Sequence, residues 1–333
     1  MRIEDLQTPA LLIDKADLEH NLREMTAALP GARLRPHVKA HKTTGLAKLQ
    51  AAAGHHNFTC ATIREIEGMA AAGLGTDLML ANEVLDARRL GAVVESGARV
   101  TLAVDSDITA KAAAAGGVRE VIIDVNVGLP RCGCEPEDAG RLADFARSLG
   151  LEVRGVMGYE GHVMPVEDPI EKLRQTEECM LRLLKAAADV GGDLISAGGT
   201  GNYALNTWAN EIQAGSYLLM DTAYGAQDMP FRQALTVLAR VISSNAGGWR
   251  VADFGLKSLG MDHGNPAIPG GAVWFCSDEH TTFSPEEGSE FAIGDLVRAR
   301  PAHVDPTLAM HERVYLVEGD EVVDTLEVDL RGW

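Results

Sequence analysis

A short stretch near the N-terminus, LRPHVKAHKTTG at residues 34–45, holds two lysines and two histidines. The chain carries 48 acidic against 30 basic side chains and a net charge of −18, so a general affinity for nucleic acid or other polyanions is excluded. The stretch begins like a strand and turns helical after Thr43 or Thr44, either of which can cap a helix. Lys39 and Lys42 are therefore expected at a strand-to-helix junction, where catalytic and binding residues are common.

The length of the chain predicts two domains, or one large barrel with an appendage. Its composition is ordinary for a globular enzyme. The 333 residues are 46% hydrophobic and 23% charged. No run of about eighteen apolar residues occurs and the N-terminus does not resemble a signal peptide, so we expect a cytoplasmic protein with no membrane partner. Five irregularly placed cysteines indicate reduced thiols. The C-x-C pair Cys132 and Cys134 is interpreted as structural, since two thiols alone are a weak metal signal.

Strand-like and helix-like segments alternate from about residue 10 to about residue 235. Eight such units in about 200 residues predict a closed (β/α)8 barrel of the TIM type, with parallel strands and right-handed crossovers. Helices are predicted at 64–73, 84–96, 136–149 and 168–190. The predicted strands are 33–38, 57–62, 77–81, 99–104, 119–125, 151–157, 193–197 and 211–214.

The pattern changes after about residue 240, where short alternating runs are separated by Gly, Pro and Asp turns. These runs predict a meander of antiparallel strands. We therefore expect a barrel domain at residues 10–235 and a C-terminal β domain at 236–333, to which residues 1–9 are a candidate addition.

The carboxyl ends of the barrel strands should hold the chemistry, because active sites of such barrels gather there. The loops after strands seven and eight, SAGGTGNY and AGSYLLMD, are rich in glycine and each carries a hydroxyl residue. Glycine lets backbone N–H groups approach a phosphate closely, although two ordinary turns are the alternative interpretation. The polar residues expected at this edge are Lys39, Arg131, Tyr159, His162, Thr200 and Ser216.

A lysine opposite a phosphate cradle indicates pyridoxal phosphate, whose aldehyde binds a lysine amine and whose phosphate needs such loops. Lys39 falls at the end of the first predicted strand, whereas Lys42 lies further into the turn. Lys39 is therefore the better candidate for the cofactor lysine.

Several motifs along nearly the whole chain resemble the D-threonine aldolase and D-serine dehydratase family, which has the alanine-racemase-like fold of a barrel followed by a β domain. They are TPALLIDKADLEHN, RPHVKAHKT, NVGLPRCG, GGTGNY, AGSYLLMDTAY, GMDHG, SDEH and PAHVDPT. The resemblance implies that Lys39 carries the cofactor, that Arg131 bonds its phenolic oxygen and that Tyr159 lies near its ring. It further implies a phosphate or cofactor-edge site made by Thr200, Gly201, Gly215, Ser216 and Tyr217.

A histidine and a carboxylate two residues apart, His303 and Asp305, form a candidate metal site. On an extended strand they would point to the same side. By the resemblance, dehydratases carry His and Cys with zinc here, whereas aldolases can carry His and Asp. A hard carboxylate shifts the preference toward Mn²⁺, with Mg²⁺ or Zn²⁺ as alternatives. Asp278 of SDEH is a candidate to support the metal site.

The expected reaction is cleavage of the Cα–Cβ bond of a D-β-hydroxy-α-amino acid to glycine and an aldehyde, by an enzyme of the aldehyde-lyase class. His162 is the candidate base for the β-hydroxyl proton. His37, His41, His280 and a hydroxide on the metal are alternatives. By analogy with the fold we expect a homodimer.

Three other functions stay open at this point. The first is a D-serine or 3-hydroxy-D-aspartate dehydratase or aldolase of the same family. The second is a non-catalytic pyridoxal-phosphate carrier, which would lack a β domain. The third is a barrel aldolase that uses a lysine without a cofactor on sugar phosphates. The last predicts a colourless protein, whereas pyridoxal phosphate bound to a lysine absorbs visible light.

Overall fold

The computed structural model describes all 333 residues, which form two compact units. We call them the barrel unit and the β unit. Both are discontinuous in sequence. The barrel unit comprises Met25–Lys39, Ala47–Gly215 and Leu330–Trp333. The β unit comprises Met1–Glu24, Ala40–Leu46 and Ser216–Asp329. The predicted division into domains 10–235 and 236–333 stays a prediction.

The chain contains fifteen strands and nine α-helices. The strands are β1 (Ala10–Asp14), β2 (Asn57–Cys60), β3 (Asp77–Leu80), β4 (Val100–Val104), β5 (Glu120–Asp124), β6 (Glu152–Met157), β7 (Leu194–Ala197), β8 (Glu211–Ile212), β9 (Leu235–Ser244), β10 (Arg250–Ala252), β11 (Gly271–Cys276), β12 (Thr281–Pro285), β13 (Leu296–Ala299), β14 (Arg313–Glu318) and β15 (Glu321–Glu327). The helices are α1 (Lys15–Ala28), α2 (Thr44–Ala52), α3 (Ile63–Ala71), α4 (Arg88–Glu95), α5 (Asp107–Ala115), α6 (Ala139–Ser148), α7 (Pro169–Val190), α8 (Thr222–Gly225) and α9 (Val304–Ala309).

The barrel unit is built on seven parallel strands in the order β2 to β8. Their side chains are nearly all buried on both faces, as expected for a parallel sheet covered by helices. The buried residues Met79, Ala103, Ile122 and Met157 pack together in one cluster. These strands and helices α4, α6 and α7 fall within the predicted segments, and α3 begins one residue before its own, so the (β/α) alternation is confirmed.

The predicted first strand, 33–38, is not a regular strand, and that prediction was wrong in detail. Pro36 has no N–H to donate, and a 3-10 turn over Val38–Ala40 follows directly. The segment nevertheless closes the barrel, because Leu34 bridges Ile212 of β8 and His37 bridges Thr59 of β2, both in parallel. The segment thus takes the eighth place in the barrel, between β8 and β2. Lys39 lies in the turn that follows it.

The β unit contains a sheet of eight strands in which β11, β12, β10, β9, β1, β14 and β15 follow one another, with β13 paired to β9. Its pairs are antiparallel except for β1, which runs parallel to β14. A barrel-type sheet and a separate, mainly antiparallel sheet together confirm the predicted fold class.

A buried ion-pair cluster lies at the N-terminal ends of strands β3 and β8, whose first residues are Asp77 and Glu211. Arg35 is fully buried and pairs with Asp77 (3.2 Å) and with Glu211 (2.7 Å). Arg154 also bonds Asp77, at 2.9 Å. Burial alone would raise the pKa of Asp77, but the bonds and charges of Arg154 and Arg35 outweigh it and lower that pKa to about 2. Asp77 is therefore ionised and holds two guanidinium groups inside the barrel.

None of the helices is both long enough and apolar enough to cross a membrane. The longest is α7, and its exposed face carries many charged residues.

Candidate active site

Three predicted cofactor residues come together in the barrel unit. Lys39 Nζ lies 5.6 Å from the centre of the Tyr159 ring, and Arg131 Cζ lies 5.2 Å from the same centre. Lys39 follows the ring-closing segment, Arg131 follows β5 and Tyr159 follows β6. An aromatic ring within about 6 Å of two cations is attractive to both, so it holds them in place.

The glycine-rich loop after β7 lies against this group. A Cβ added at Gly199 would meet Tyr159 Cε2 at 3.5 Å and Met164 Sδ at 3.0 Å. Gly198 has φ +77°, which favours glycine. Thr200 follows at once and is 2% exposed. The loop that was predicted to hold a phosphate is therefore next to Tyr159.

Glu160, which sequence reasoning passed over, anchors this loop. It is fully buried and accepts the N–H of Gly198 (3.1 Å) and the side-chain amides of Asn202 (2.8 Å) and Asn206 (2.9 Å). Burial raises the pKa of Glu160, although the amide donors oppose that rise. Glu160 stands beside Tyr159 in the sequence, but nothing in its local pattern shows that its carboxylate is buried.

A lysine of α7 supports the same loop from another side. Lys172 Nζ donates to the carbonyl of Gly201 at 3.0 Å. Burial lowers the pKa of Lys172. A Cβ at Gly201 would lie 2.9 Å from the Met164 carbonyl, so a larger residue there would displace the backbone. The shape of the loop is thus fixed by buried polar contacts and close packing.

The other predicted phosphate residues lie after β8. Gly215 ends a segment of the barrel unit, whereas Ser216 and Tyr217 begin the last segment of the β unit, in a 3-10 turn over Ser216–Leu218. Tyr217 is fully buried and its ring centre lies 5.7 Å from that of Phe231.

The turn at Ser216 leads to a residue that organises the β unit. Asp221 is 1% exposed, caps α8 through the N–H of Tyr224 (3.0 Å) and accepts the N–H of Val304 (3.1 Å). Burial raises the pKa of Asp221. Val304 is the first residue of α9, so Asp221 fixes the start of the helix that carries the predicted metal residues.

His303 and Asp305 lie together, although not for the predicted reason. His303 is the N-cap of α9 and Asp305 is inside it, so the extended strand that was expected to align them is absent. His303 Nε2 nevertheless lies 3.7 Å from Asp305 Oδ2. The bend that begins the helix brings the two side chains to one side.

Two residues of the GMDHG segment complete this group, and spacing gave no hint of them. Asp262 Oδ2 lies 2.6 Å from His303 Nδ1, and the His263 ring stacks on the His303 ring at 4.1 Å. Ligand atoms of Asp262, His263 and His303 all lie within 4.8 Å of one another, so the three side chains form one cluster. Burial alone would lower the pKa of His303, but Asp305 and Asp262 outweigh it and raise that pKa to about 9.

Asp278, the expected support of the metal, makes a different contact. It lies 3.7 Å from Lys257 and its side chain is exposed. We therefore assign it no part in the group around His303.

The candidate base, His162, faces a groove beside α7. Its Nε2 lies 3.6 Å from Cys179 Sγ, and burial raises the pKa of that thiol to about 12. A Cβ at Gly128 would meet the His162 ring at 3.3 Å, and Arg182 lines the same groove. The groove encloses about 320 Å³.

The alternative histidines have other surroundings. His41 is fully buried and its Nδ1 accepts the N–H of Thr43 at 3.2 Å. The N–H of Lys39 points to His37 Nδ1 at 3.5 Å. His280 is exposed in the turn between β11 and β12.

The C-x-C pair Cys132 and Cys134 lies in the loop that follows β5. All five cysteines are free, and Cys134 continues a backbone ladder with Val125. Burial is the main cause that raises the pKa of Cys132 to about 11 and that of Cys134 to about 12. Both are therefore neutral thiols.

Comparison with known proteins identifies both parts of the chain. The family described as alanine racemase, N-terminal domain, matches residues 13–223, and the putative serine dehydratase domain matches residues 234–317. A D-threonine aldolase of Arthrobacter sp is 33% identical over 98% of this chain and 93% of its own. The chain belongs to the D-threonine aldolase and D-serine dehydratase family.

Solved structures of the family agree in fold. The D-threonine aldolase of Filomicrobium marinum is 30% identical with a TM-score of 0.92, covering 98% of this chain and 96% of its own. A Cys→Ala variant of a D-threo-3-hydroxyaspartate dehydratase, solved in the metal-free form, is 25% identical with a TM-score of 0.91 and full coverage of both chains. The family is one of pyridoxal-phosphate-dependent enzymes, and the relatives compared are aldolases and dehydratases.

Proposed function

We propose that the protein is a D-threonine aldolase that depends on pyridoxal phosphate and a divalent metal ion and cleaves D-β-hydroxy-α-amino acids to glycine and an aldehyde. The observation that carries this proposal is the pair His303 and Asp305, whose Nε2 and Oδ2 atoms lie 3.7 Å apart. This pair offers an imidazole and a carboxylate, and no thiol.

The barrel unit has the residues that pyridoxal phosphate requires. Lys39 and Arg131 both lie within about 6 Å of the centre of the Tyr159 ring, and Gly199 lies against that ring. We propose that Lys39 binds the aldehyde, Arg131 the phenolic oxygen, and Thr200 with Gly201 the phosphate. Gly215, Ser216 and Tyr217 are proposed for the same phosphate or cofactor edge. When bound, the cofactor supplies an aldehyde for the substrate amine and a ring that accepts the electrons of the broken bond.

The protein residues then have defined tasks. Lys39 places its amine near the Tyr159 ring, which orients it. Arg131 places positive charge 5.2 Å from the centre of the same ring. Glu160 and Lys172 keep the phosphate loop in one shape, so the loop is ordered before the ligand arrives.

The side chains of His303 and Asp305 also fit the proposed role of metal ligands. Two ligand atoms held at about 2.1 Å from one ion lie roughly 3 to 4 Å apart, and the distance between His303 Nε2 and Asp305 Oδ2 falls in this range. An ion there would lower the pKa of the substrate β-hydroxyl and orient it. The hard carboxylate of Asp305, in place of a thiolate, favours Mn²⁺, so we propose Mn²⁺, with Mg²⁺ and Zn²⁺ as alternatives.

His162 is proposed to remove the β-hydroxyl proton. It is exposed, and its ring stands on the turn that follows Tyr159. Its Nε2 faces Cys179, whose raised pKa keeps the thiol protonated, so the pair does not form a thiolate–imidazolium couple. His162→Ala should lower kcat by 10²–10⁴-fold while metal and cofactor binding persist. Cys179→Ala is the matched control and should keep most of the activity. Equal kcat in the His162 variant and the wild type would remove His162 from the mechanism.

The runner-up is a dehydratase of D-serine or a 3-hydroxy-D-aspartate. The family contains such enzymes, and the compared dehydratase was solved as a Cys→Ala variant in a metal-free form. A carboxylate at residue 305 favours the aldolase, since by the family pattern the dehydratases place a thiolate there.

The test is to treat the holoenzyme with a chelator and assay D-threonine cleavage before and after Mn²⁺ is restored. We expect activity to disappear and return, while the visible absorbance of the cofactor persists throughout. Full activity in the metal-depleted sample would contradict the metal requirement.

A homodimer in the cytoplasm is part of the proposal. Five free cysteines support a reducing compartment. The dimer rests on analogy with the fold alone, and sedimentation of the holoenzyme would test it directly.

A further inference from the structure

The imidazole of His303 has a carboxylate at each of its two nitrogens. Nδ1 lies 2.6 Å from Asp262 Oδ2, and Nε2 lies 3.7 Å from Asp305 Oδ2. The two distances differ by more than 1 Å, so the two carboxylates do not have equivalent relations to the ring.

The shorter distance is that of a charge-assisted hydrogen bond. Two atoms bound side by side to one small divalent ion lie about 3 Å apart, so 2.6 Å is too close for Asp262 Oδ2 and His303 Nδ1 to share an ion in this arrangement. The longer distance, to Asp305, leaves room for an ion between nitrogen and oxygen. With the proton on Nδ1, the ring donates a hydrogen bond to Asp262, and the lone pair on Nε2 is left to bind an ion beside Asp305.

Asp262 is held where this hydrogen bond requires it. The N–H of Gly260 donates to Thr307 Oγ1 at 3.0 Å, and Thr307 Oγ1 donates to the carbonyl of His303 at 2.7 Å. A Cβ at Gly260 would lie 2.2 Å from Pro306 Cγ, so the loop packs directly on α9. The two bonds and this packing link the loop before Asp262 to the helix that His303 caps.

We propose that Asp262 is a positioning residue, which accepts the Nδ1 proton of His303 and thereby leaves Nε2 as the metal ligand beside Asp305. This inference rests on the proposed metal-dependent function. Carboxylates that accept the second N–H of a ligating histidine fix its tautomer and ring orientation, and their loss weakens metal binding by roughly 10–100-fold.

A competing arrangement would use Asp262 as a ligand. Asp262, His263 and His303 could hold an ion on the Nδ1 side if the rings moved apart, since their ligand atoms lie within 4.8 Å. The two arrangements differ in which nitrogen of His303 carries the proton, and this difference can be measured.

The experiment compares Asp262→Ala, Asp262→Asn and a matched control, Asp278→Ala, in the pyridoxal-phosphate-loaded protein. Asp278 is an exposed carboxylate of the same unit that pairs with Lys257 instead of a histidine. Mn²⁺ affinity is measured by electron paramagnetic resonance titration. The His303 tautomer is read from ¹⁵N-histidine spectra with Zn²⁺ and, separately, in metal-free protein at pH 10, with His303→Ala to assign the signals.

We expect an Nδ1–H tautomer in the wild type under both conditions. Asp262→Ala should lose that preference and bind Mn²⁺ about 10–100-fold more weakly. Asp262→Asn, whose amide oxygen can still accept the proton, should restore the tautomer and much of the affinity, and Asp278→Ala should match the wild type.

Two outcomes would overturn the inference. One is a wild-type tautomer with the proton on Nε2, which would assign Asp262 to the metal as a ligand. The other is unchanged Mn²⁺ affinity in Asp262→Ala. If the wild type binds no divalent ion, the proposed metal function fails, while the spectrum at pH 10 still decides whether Asp262 sets the tautomer.

Discussion

Lys39 Nζ lies 5.6 Å from the centre of the Tyr159 ring. Lys39 follows the segment that closes the barrel, and Tyr159 follows β6. The two residues are 120 positions apart in sequence, so local patterns do not predict that they lie close together. The proposed cofactor site depends on this arrangement, in which the Lys39 amine lies near the Tyr159 ring and the ring packs against the glycine-rich loop.

Replacing Lys39 by Ala should abolish the visible absorbance of bound pyridoxal phosphate and all cleavage activity, because the amine proposed to bind the cofactor's aldehyde is removed. Lys48→Ala, an exposed lysine of α2, is the matched control and should keep both. Borohydride reduction followed by peptide mapping locates the attached cofactor. A label on Lys42 in the wild type would contradict the assignment.

Glu160→Ala should weaken pyridoxal-phosphate binding about tenfold or more. Three donors, from Gly198, Asn202 and Asn206, would lose their acceptor inside the protein, and each unsatisfied donor costs roughly 1–3 kcal/mol. Titration of the apoprotein with the cofactor measures the effect. Glu152→Ala, an exposed glutamate of β6, controls for the loss of charge. Equal cofactor affinity in the two variants would show that the loop does not need its anchor.

Asp77→Asn should lower the free energy of unfolding at pH 7 by about 3 kcal/mol, because Arg35 would keep only one of its carboxylate partners in the barrel interior. The pKa of Asp77 is about 2 in the folded protein against an ordinary 3.8. A lowered pKa stabilises the folded state above the ordinary value, and this contribution is lost as the pH falls toward 2.

Denaturant unfolding at several pH values tests the Asp77 prediction. The difference between wild type and Asp77→Asn should shrink from pH 5 to pH 3, since about half of roughly 2 kcal/mol from the pKa shift is gone at pH 3. A difference that stays constant or grows over this range would show that Asp77 is not held ionised by Arg35 and Arg154.

Asp305→Cys should shift the metal preference from Mn²⁺ toward Zn²⁺, because a thiolate is a softer ligand than a carboxylate. We also expect more dehydration of D-serine relative to aldol cleavage, by the family pattern. Competitive titration with the two ions checks the first part, and the pyruvate formed from D-serine checks the second. Asp278→Cys is the control for adding a thiol to the same unit. An unchanged ratio of Mn²⁺ to Zn²⁺ affinity would separate residue 305 from the metal.

The sequence predicted the barrel well, because parallel strands and amphipathic helices leave strong periodic patterns. Seven of the eight strands lie inside the predicted segments. The eighth, 33–38, failed as a regular strand because Pro36 interrupts the hydrogen-bond ladder, although bridges at Leu34 and His37 give it the predicted place. Local propensity could not show that β1 pairs with β9 and β14, since those partners lie more than 220 residues away.

Sequence spacing predicts only part of the candidate metal site. His303 and Asp305 are neighbours in sequence and could be paired by reasoning, but α9 begins where an extended strand was assumed. Asp262 lies 41 residues before His303, and long-range contacts of its loop with α9, through Thr307 and Pro306, hold it there. Glu160 was missed for a similar reason, because a buried carboxylate that anchors a loop is indistinguishable in sequence from an exposed one.

The partition of products from D-threonine tests the central proposal most directly. Holoenzyme reconstituted with pyridoxal phosphate and Mn²⁺ is incubated with D-threonine and, as a stereochemical control, with L-threonine. Glycine, acetaldehyde, 2-oxobutanoate and ammonia are then quantified. We predict equal amounts of glycine and acetaldehyde from D-threonine, with no cleavage of L-threonine. If 2-oxobutanoate and ammonia are the main products of the native enzyme, the protein is a dehydratase and the proposed aldolase function is wrong.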